Sequence, residues 1–117
     1  MSSRRHHLII DLKEVQTDKL SDSEGLSNFI KNLPGVIGMK ILHGPVVVEG
    51  VAANPGITAF VIIDFSHISI HTFTETSEAL IDIFSCKSFD TNQALQFVLN
   101  HFEAKESQAT IKQVVNA

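Results

Sequence analysis

Apolar and polar residues alternate with two different periods along this chain. The clearest strand period spans residues 67–73, where Ile68 and Ile70 stand between polar side chains at 67, 69 and 71. Because successive side chains of a strand point to opposite faces, this stretch predicts a strand with one apolar and one polar face. Apolar and β-branched runs predict further strands at residues 7–12, 36–42, 59–63, 79–84 and 109–115, and the run at 46–49 is compatible with a short one.

A stretch with the helical period follows the first predicted strand. Ser21 and Glu24 have the spacing of a capping box, in which each side chain satisfies a free backbone amide of the other residue. The apolar residues that follow recur every three or four positions until Pro34-Gly35. This pattern predicts a helix that begins after Ser21 and stops at the Pro-Gly pair.

A second helix is predicted over residues 91–102, capped by Asp90 or Thr91. The predicted order is therefore β-α-β-(β)-β-β-β-α-β, with a region rich in turn residues at 43–56. Two amphipathic helices are too few to cover both faces of a parallel sheet. We therefore predict an α+β fold, a two-layer sandwich in which a mainly antiparallel sheet carries two helices on one face. Since the chain contains no linker, residues 1–117 are expected to form a single domain.

Composition narrows the class of protein. A chain of 117 residues that is 44% hydrophobic can bury a core without disulfides or a structural metal. Its formal net charge of −4 gives no basic surface for nucleic acid, so no nucleic-acid partner is expected. The chain also has no apolar run near the roughly 20 residues of a membrane span, so no membrane partner is expected. One cysteine excludes an internal disulfide framework and indicates a reducing compartment. The reducing compartment that the single cysteine indicates is the cytoplasm. Because two helices leave one sheet face uncovered, we also expect a homodimer.

Histidines in the alternating strand raise the question of a metal site. His67 and His71 are four positions apart, which on a strand is about 13 Å at roughly 3.3 Å per residue. Ligand bonds of about 2 Å cannot bridge that distance, so no metal is expected. If each residue is considered alone, residue type predicts that these histidines lie at the surface, that Ser66 lies in a turn and that Cys86 is buried among apolar side chains.

Taken together, these residues form a longer pattern. Residues 65–75 read F-S-H-I-S-I-H-T-F-T-E, and residues 79–86 follow as A-L-I-D-I-F-S-C. The first stretch resembles the E-S-H-x-x-I-H-T-W-P-E motif of the prokaryotic S-adenosylmethionine decarboxylase proenzyme family. In the second, Asp82 to Cys86 resemble the D-x-F-(T/S)-C end of that family's A-x-D-x-F-(T/S)-C segment, at the same spacing from Ser66. Residues 7–12 also resemble that family's opening strand. The resemblance implies the same α+β sandwich and a pyruvoyl-dependent decarboxylase that acts on S-adenosylmethionine for spermidine and other polyamine synthesis.

Members of this family are proenzymes that cut their own chain. The resemblance implies that the Ser66 hydroxyl attacks the carbonyl of Phe65 and that the chain is cut between these two residues. Ser66 would then become a covalently derived pyruvoyl group, which forms a Schiff base with the substrate amine and needs no metal. At the matching positions, the resemblance implies processing roles for His71 and Thr58, a proton-donor role for Cys86 and a ribose-binding role for Glu75.

The sequence departs from the family pattern at three places. Phe65 stands where a glutamate is usual, Phe73-Thr74 replaces Trp-Pro, and Ala52 occupies the gapless position of an adenine-stacking phenylalanine. Losing an aromatic partner forfeits roughly 1–3 kcal/mol of base stacking, which motivates a pyruvoyl-dependent decarboxylase of a basic amino acid as one alternative. Phe65 motivates another alternative, a paralogue that does not cleave and serves as a regulatory subunit.

Overall fold

The computed structural model describes residues 4–116, which form an α+β fold. The strands of this part are β1 (Arg5–Leu12), β2 (Ile41–Val51), β3 (Asn54–Ile63), β4 (Ser66–Phe73), β5 (Glu78–Ser85) and β6 (Ala109–Asn116). They pair antiparallel in one sheet of order β2-β3-β4-β5-β1-β6. The helices are α1 (Thr17–Leu20), α2 (Ser23–Val36) and α3 (Thr91–Phe102), and a 3₁₀ turn covers Glu106–Gln108.

The core lies between one face of the sheet and the helices. In β4, Ile68 and Ile70 are fully buried while the residues between them stay half exposed, and β3 and β5 show the same alternation. The apolar stripes of the two longer helices join the same cluster of buried side chains. The predicted two-layer sandwich with helices on one face is therefore confirmed. Within residues 4–116, no helix has the length and apolar character to cross a membrane.

The opposite face of the sheet has no helix against it, and we call it the open face. Several large apolar side chains are exposed there, among them Val46, Val48, Phe60 and Ile62, with Val48 57% exposed. Polar residues of β4 share this face with them. Monomeric proteins rarely leave a contiguous apolar patch of this kind uncovered, so the open face has the character of an interface.

The start of α2 differs from the prediction. The N-cap is Asp22, whose carboxylate accepts a hydrogen bond from the Gly25 N–H at 2.9 Å, so the predicted capping box of Ser21 and Glu24 is wrong. The reason is the short helix α1, which has no clear apolar period of its own. Ser21 is the C-cap of α1, and its N–H donates to the Thr17 carbonyl at 3.1 Å.

The end of α2 also lies later than predicted. The helix continues through Pro34 to Val36, because Pro34 is buried in the core and its packing offsets the hydrogen bond that a proline cannot donate. The chain turns at Gly38, whose φ of +75° is a conformation that glycine adopts without strain. The strand predicted at 36–42 therefore begins only at Ile41, as β2.

The turn-rich region at 43–56 is a long hairpin of β2 and β3 rather than a loop. Strand β2 lies at the edge of the sheet, where glycine and proline are tolerated. Its pairing with β3 shifts register between His43 and Val46, and Gly44 in this bulge has a φ of +103°. The run predicted at 46–49 and the last two residues of the run predicted at 36–42 thus belong to one strand.

A buried threonine joins the sheet to the helical layer. The Ile57 N–H of β3 donates to Thr72 Oγ1 at 2.9 Å, and the Thr72 hydroxyl donates to the Leu20 carbonyl of α1 at 2.8 Å. Gly56 allows this close approach, because a side chain there would overlap the Thr72 carbonyl. The contact sets the position of the β3 start against the end of β4.

Candidate active site

The turn between β3 and β4 places Phe65 and Ser66 at the start of β4. Ser66 has a φ of +151°, a backbone conformation that residues other than glycine rarely adopt. Such conformations cost about 1–3 kcal/mol and persist only where the surrounding structure enforces them. Strand pairing does so here, since Ser66 pairs with Ile63 on one side and with Ser85 on the other. The bond between Phe65 and Ser66 therefore adjoins strained backbone.

The carbonyl of Phe65 is held by the residue that follows β5. The backbone N–H of Cys86 donates to the Phe65 carbonyl oxygen at 3.0 Å. A donor in this position stabilises the negative charge that develops on the oxygen when the carbonyl is attacked. The thiol of Cys86 is exposed, so the general expectation of a buried cysteine is wrong for this chain.

The side chain of Phe65 has a cationic neighbour. Lys87 Nζ lies 5.0 Å from the centroid of the Phe65 ring, within the range of a cation–π contact. Phe65 also packs in part against the core. The phenylalanine that departs from the family pattern is thus accommodated by contacts on its side chain, while its carbonyl keeps a hydrogen-bond donor.

The Ser66 hydroxyl lies beside an imidazole. Ser66 Oγ is 3.4 Å from His67 Nδ1, at the outer limit of a hydrogen bond. The His67 ring is stacked between Phe60 and Phe84, with centroid distances of 5.4 and 5.7 Å and interplanar angles of 22° and 27°. This stacking fixes the plane of the ring and keeps Nδ1 of His67 beside the Ser66 hydroxyl.

Sequence reasoning treated His67 as a surface residue. The signal that could have found it is strand register, because Phe84 is its direct partner on β5 and Phe60 is a diagonal neighbour on β3. Reading that register requires the pairing of three strands, which the sequence pattern alone does not specify. We refer to Phe65, Ser66, His67 and Cys86 as the Ser66 end of β4.

The other two predicted processing residues meet near the opposite end of β4. Thr58 and His71 are direct cross-strand partners, and Thr58 Oγ1 lies 3.0 Å from His71 Nδ1. On β4, His71 is five positions from Ser66, a distance of roughly 16 Å. Within one chain, the structure therefore brings Thr58 to His71 but does not bring His71 to Ser66. We refer to this pair and the turn beyond it as the His71 end.

A groove lies at the His71 end. Glu75 is exposed in the turn after β4, and its neighbour Thr74 lines a groove of about 320 Å³. Ala52, from the hairpin between β2 and β3, lines the same groove. The described lining residues include no aromatic ring, so this groove offers no side chain on which a base could stack.

On the open face, the carboxylate of Asp82 is paired with a histidine of β1. His7 Nε2 lies 2.7 Å from Asp82 Oδ1, and the His7 ring meets Phe84 edge-on at a centroid distance of 5.4 Å. Among residues 4–116, no group of three or more His, Cys, Asp or Glu side chains could hold a metal ion.

On the helical side, burial lowers the pKa of His101, with a smaller contribution from the Lys19 charge.

Comparisons with known proteins agree with these observations. The model of the S-adenosylmethionine decarboxylase family matches residues 6–113. The S-adenosylmethionine decarboxylase proenzyme of Thermodesulfovibrio yellowstonii is 32% identical over 101 residues, which cover 85% of this chain and 72% of that protein. The proenzyme of the same name from Clostridium botulinum is 34% identical over 95 residues, 80% of this chain and 78% of that one.

A solved structure shares the fold. The crystal structure of the adenosylmethionine decarboxylase from Aquifex aeolicus superimposes with a TM-score of 0.75, covering 99% of this chain and 91% of that one at 22% sequence identity. The family match spans most of the chain, including β4 and β5, where the motif residues lie. The chain belongs to the S-adenosylmethionine decarboxylase family.

Proposed function

We propose that this protein is the self-cleaving proenzyme of a pyruvoyl-dependent S-adenosylmethionine decarboxylase that serves spermidine synthesis. The observation that carries the proposal is the geometry at Ser66: strained backbone, a scissile carbonyl with a hydrogen-bond donor, and a hydroxyl beside an imidazole. The names of the relatives support S-adenosylmethionine as substrate over a basic amino acid. A regulatory paralogue that never cleaves would not require this arrangement of backbone and side chains.

The residues present fit a prosthetic group made from Ser66. The Ser66 hydroxyl attacks the Phe65 carbonyl, and the Cys86 N–H stabilises the resulting oxyanion. Relief of the strained φ at Ser66 favours the reaction, because the cut frees this residue from the β3–β4 turn. Once formed, the pyruvoyl group would supply an electrophilic carbonyl for the substrate amine and an electron sink for the bond to the substrate carboxyl group.

A second copy of the chain completes the site. Ser66 and His71 stand at opposite ends of β4, too far apart to act together in one chain. A two-fold axis that lies between two open faces, perpendicular to β4 and level with its middle, would stack the faces of two copies and place the His71 end of each copy over the Ser66 end of the other. Such a homodimer also covers the exposed apolar residues of the open face. The partner's His71 and Thr58 thereby serve as processing residues.

The remaining residues act on the substrate. The exposed thiol of Cys86 donates the proton that replaces the departing carboxyl group. Glu75 and the adjoining groove hold the ribose, with the carboxylate accepting hydrogen bonds from its hydroxyl groups. A thiol with this task must stay reduced, which supports a cytoplasmic location.

Mass analysis of the purified protein tests self-cleavage. We expect two fragments, residues 1–65 and 66–117, the second beginning with a pyruvoyl group, whereas Ser66→Ala should stay whole. An intact wild-type chain after long incubation would support the regulatory paralogue. Release of CO₂ from S-adenosylmethionine, arginine and ornithine then tests the substrate, and turnover of an amino acid alone would support the second alternative.

A further inference from the structure

We propose that His67 is the base of the first step of self-cleavage, a role separate from that of His71. The inference rests on the proposed cleavage at Ser66 and assigns its proton transfer to a residue of the same chain. In that step, His67 Nδ1 removes the proton of the Ser66 hydroxyl as the oxygen attacks the Phe65 carbonyl.

Distance selects this imidazole. His67 Nδ1 lies 3.4 Å from Ser66 Oγ, a separation that a small movement converts into a hydrogen bond. His71 is five positions farther along β4, and its Nδ1 is already 3.0 Å from Thr58 Oγ1. Proton removal by His67 needs no second copy of the chain, whereas removal by His71 does.

The surroundings of His67 hold it in an orientation suited to this step. Phe60 and Phe84 cover the two faces of the ring and leave its edges free for hydrogen bonding. On the far side of this stack, the ring of His7 contacts Phe84, and Asp82 holds His7 by the 2.7 Å contact. Since Nδ1 must accept the Ser66 proton, the resting ring carries its own proton on Nε2.

The step conserves atoms and electrons. A bond forms between Ser66 Oγ and the carbonyl carbon of Phe65, and the π-electron pair moves to the oxygen that the Cys86 N–H holds. His67 then returns the proton to the Ser66 nitrogen while the carbon–nitrogen bond breaks. The products are an ester of the Phe65 carboxyl group with the Ser66 side chain and a free Ser66 amine. The partner's His71 remains available for the later elimination.

The test measures this first step alone. The protein is made by cell-free synthesis and quenched over time, and hydroxylamine under denaturing conditions then breaks every ester that has formed. His67→Phe keeps a ring between Phe60 and Phe84 but has no nitrogen, and His43→Phe, at an exposed histidine of β2, is the matched control. We expect His67→Phe to slow fragment formation about a hundredfold or more, as for the loss of a general base, and His43→Phe to leave it unchanged.

Further variants keep the result decisive. Circular dichroism checks the fold, and His67→Asn, which has no basic nitrogen, replaces His67→Phe if the latter does not fold. Added imidazole should restore fragment formation in His67→Gly, and His71→Gln should still give fragments after hydroxylamine. A folded His67→Phe or His67→Asn chain that reacts at the wild-type rate overturns the role of His67. A wild-type chain that never fragments contradicts self-cleavage itself, so the two failures are distinguishable.

Discussion

The backbone N–H of Cys86 donates to the carbonyl oxygen of Phe65 at 3.0 Å, which ties the end of β5 to the turn between β3 and β4. The side chain of the same residue is exposed. Under the proposed function, the backbone and the thiol of Cys86 have separable tasks, the first in cutting the chain and the second in decarboxylation. Substitutions at this position can remove one task and leave the other.

Cys86→Ala removes the thiol and keeps the N–H. We expect the variant to cleave like the wild-type chain and to release CO₂ at least about a hundredfold more slowly, the usual loss when a proton donor is removed. Cys86→Pro removes the N–H, and its cleavage should slow by about 10²- to 10³-fold, as for an oxyanion donor. Mass analysis and CO₂ release measure the two effects. Wild-type decarboxylation by Cys86→Ala would refute the proton-donor role.

A shared site predicts complementation between two inactive variants. Ser66→Ala lacks the nucleophile and His71→Ala lacks the processing imidazole, so each alone should be inactive. When they are co-expressed, half of the dimers are mixed and each mixed dimer has one intact site, so activity should recover to roughly one quarter of the wild-type level. Two different affinity tags isolate the mixed dimer for the CO₂ assay. An inactive mixed dimer would argue against a site completed by a second copy.

Thr72→Val should destabilise the fold. The substitution keeps the shape of the side chain but leaves the buried Ile57 N–H and Leu20 carbonyl without their partner. An unsatisfied buried group costs about 1–3 kcal/mol, and we expect a loss of that size in the free energy of unfolding. Urea unfolding of the Ser66→Ala chain with and without the substitution measures it. Thr110→Val, at an exposed position of β6, is the control and should change the stability little.

His101 should make stability depend on pH. Its pKa is lowered from the ordinary value of 6.5, mainly by burial and in addition by the Lys19 charge, while Asp22 acts in the opposite direction. Because the unfolded chain then binds the proton more tightly than the folded one, this contribution is fully present above about pH 6.5 and is lost as the pH falls toward the lowered pKa.

The measurement for His101 is thermal unfolding across roughly pH 5 to 7, the range in which histidine titrates. His101→Gln should show a weaker decline in stability toward acid pH than the wild-type chain. His43→Gln, at an exposed histidine, should keep the wild-type slope. An unchanged slope in His101→Gln would show that other groups set the acid dependence.

The fold was largely predictable, and the errors lie where local rules conflict. The alternation in β4 and the helical stripe of α3 are local patterns that burial reinforces, so these elements were placed well. By residue type alone, Pro34 predicts the end of a helix and Gly44 predicts a break in a strand. Core packing carries the helix past Pro34, and an edge position lets β2 absorb Gly44 in a bulge. Tertiary position, which a local pattern does not contain, decided both cases.

The candidate site, like the fold, was predictable in part from the sequence and in part only from the structure. The amino-acid sequence by itself determined the residue types, their spacing and the face of each strand on which they lie, because side-chain alternation is a local property of extended backbone. Only the tertiary structure decided which side chains meet: the Cys86 N–H with the Phe65 carbonyl, and His67 rather than His71 with Ser66. These contacts depend on the pairing and register of separate strands, which packing of the whole chain sets.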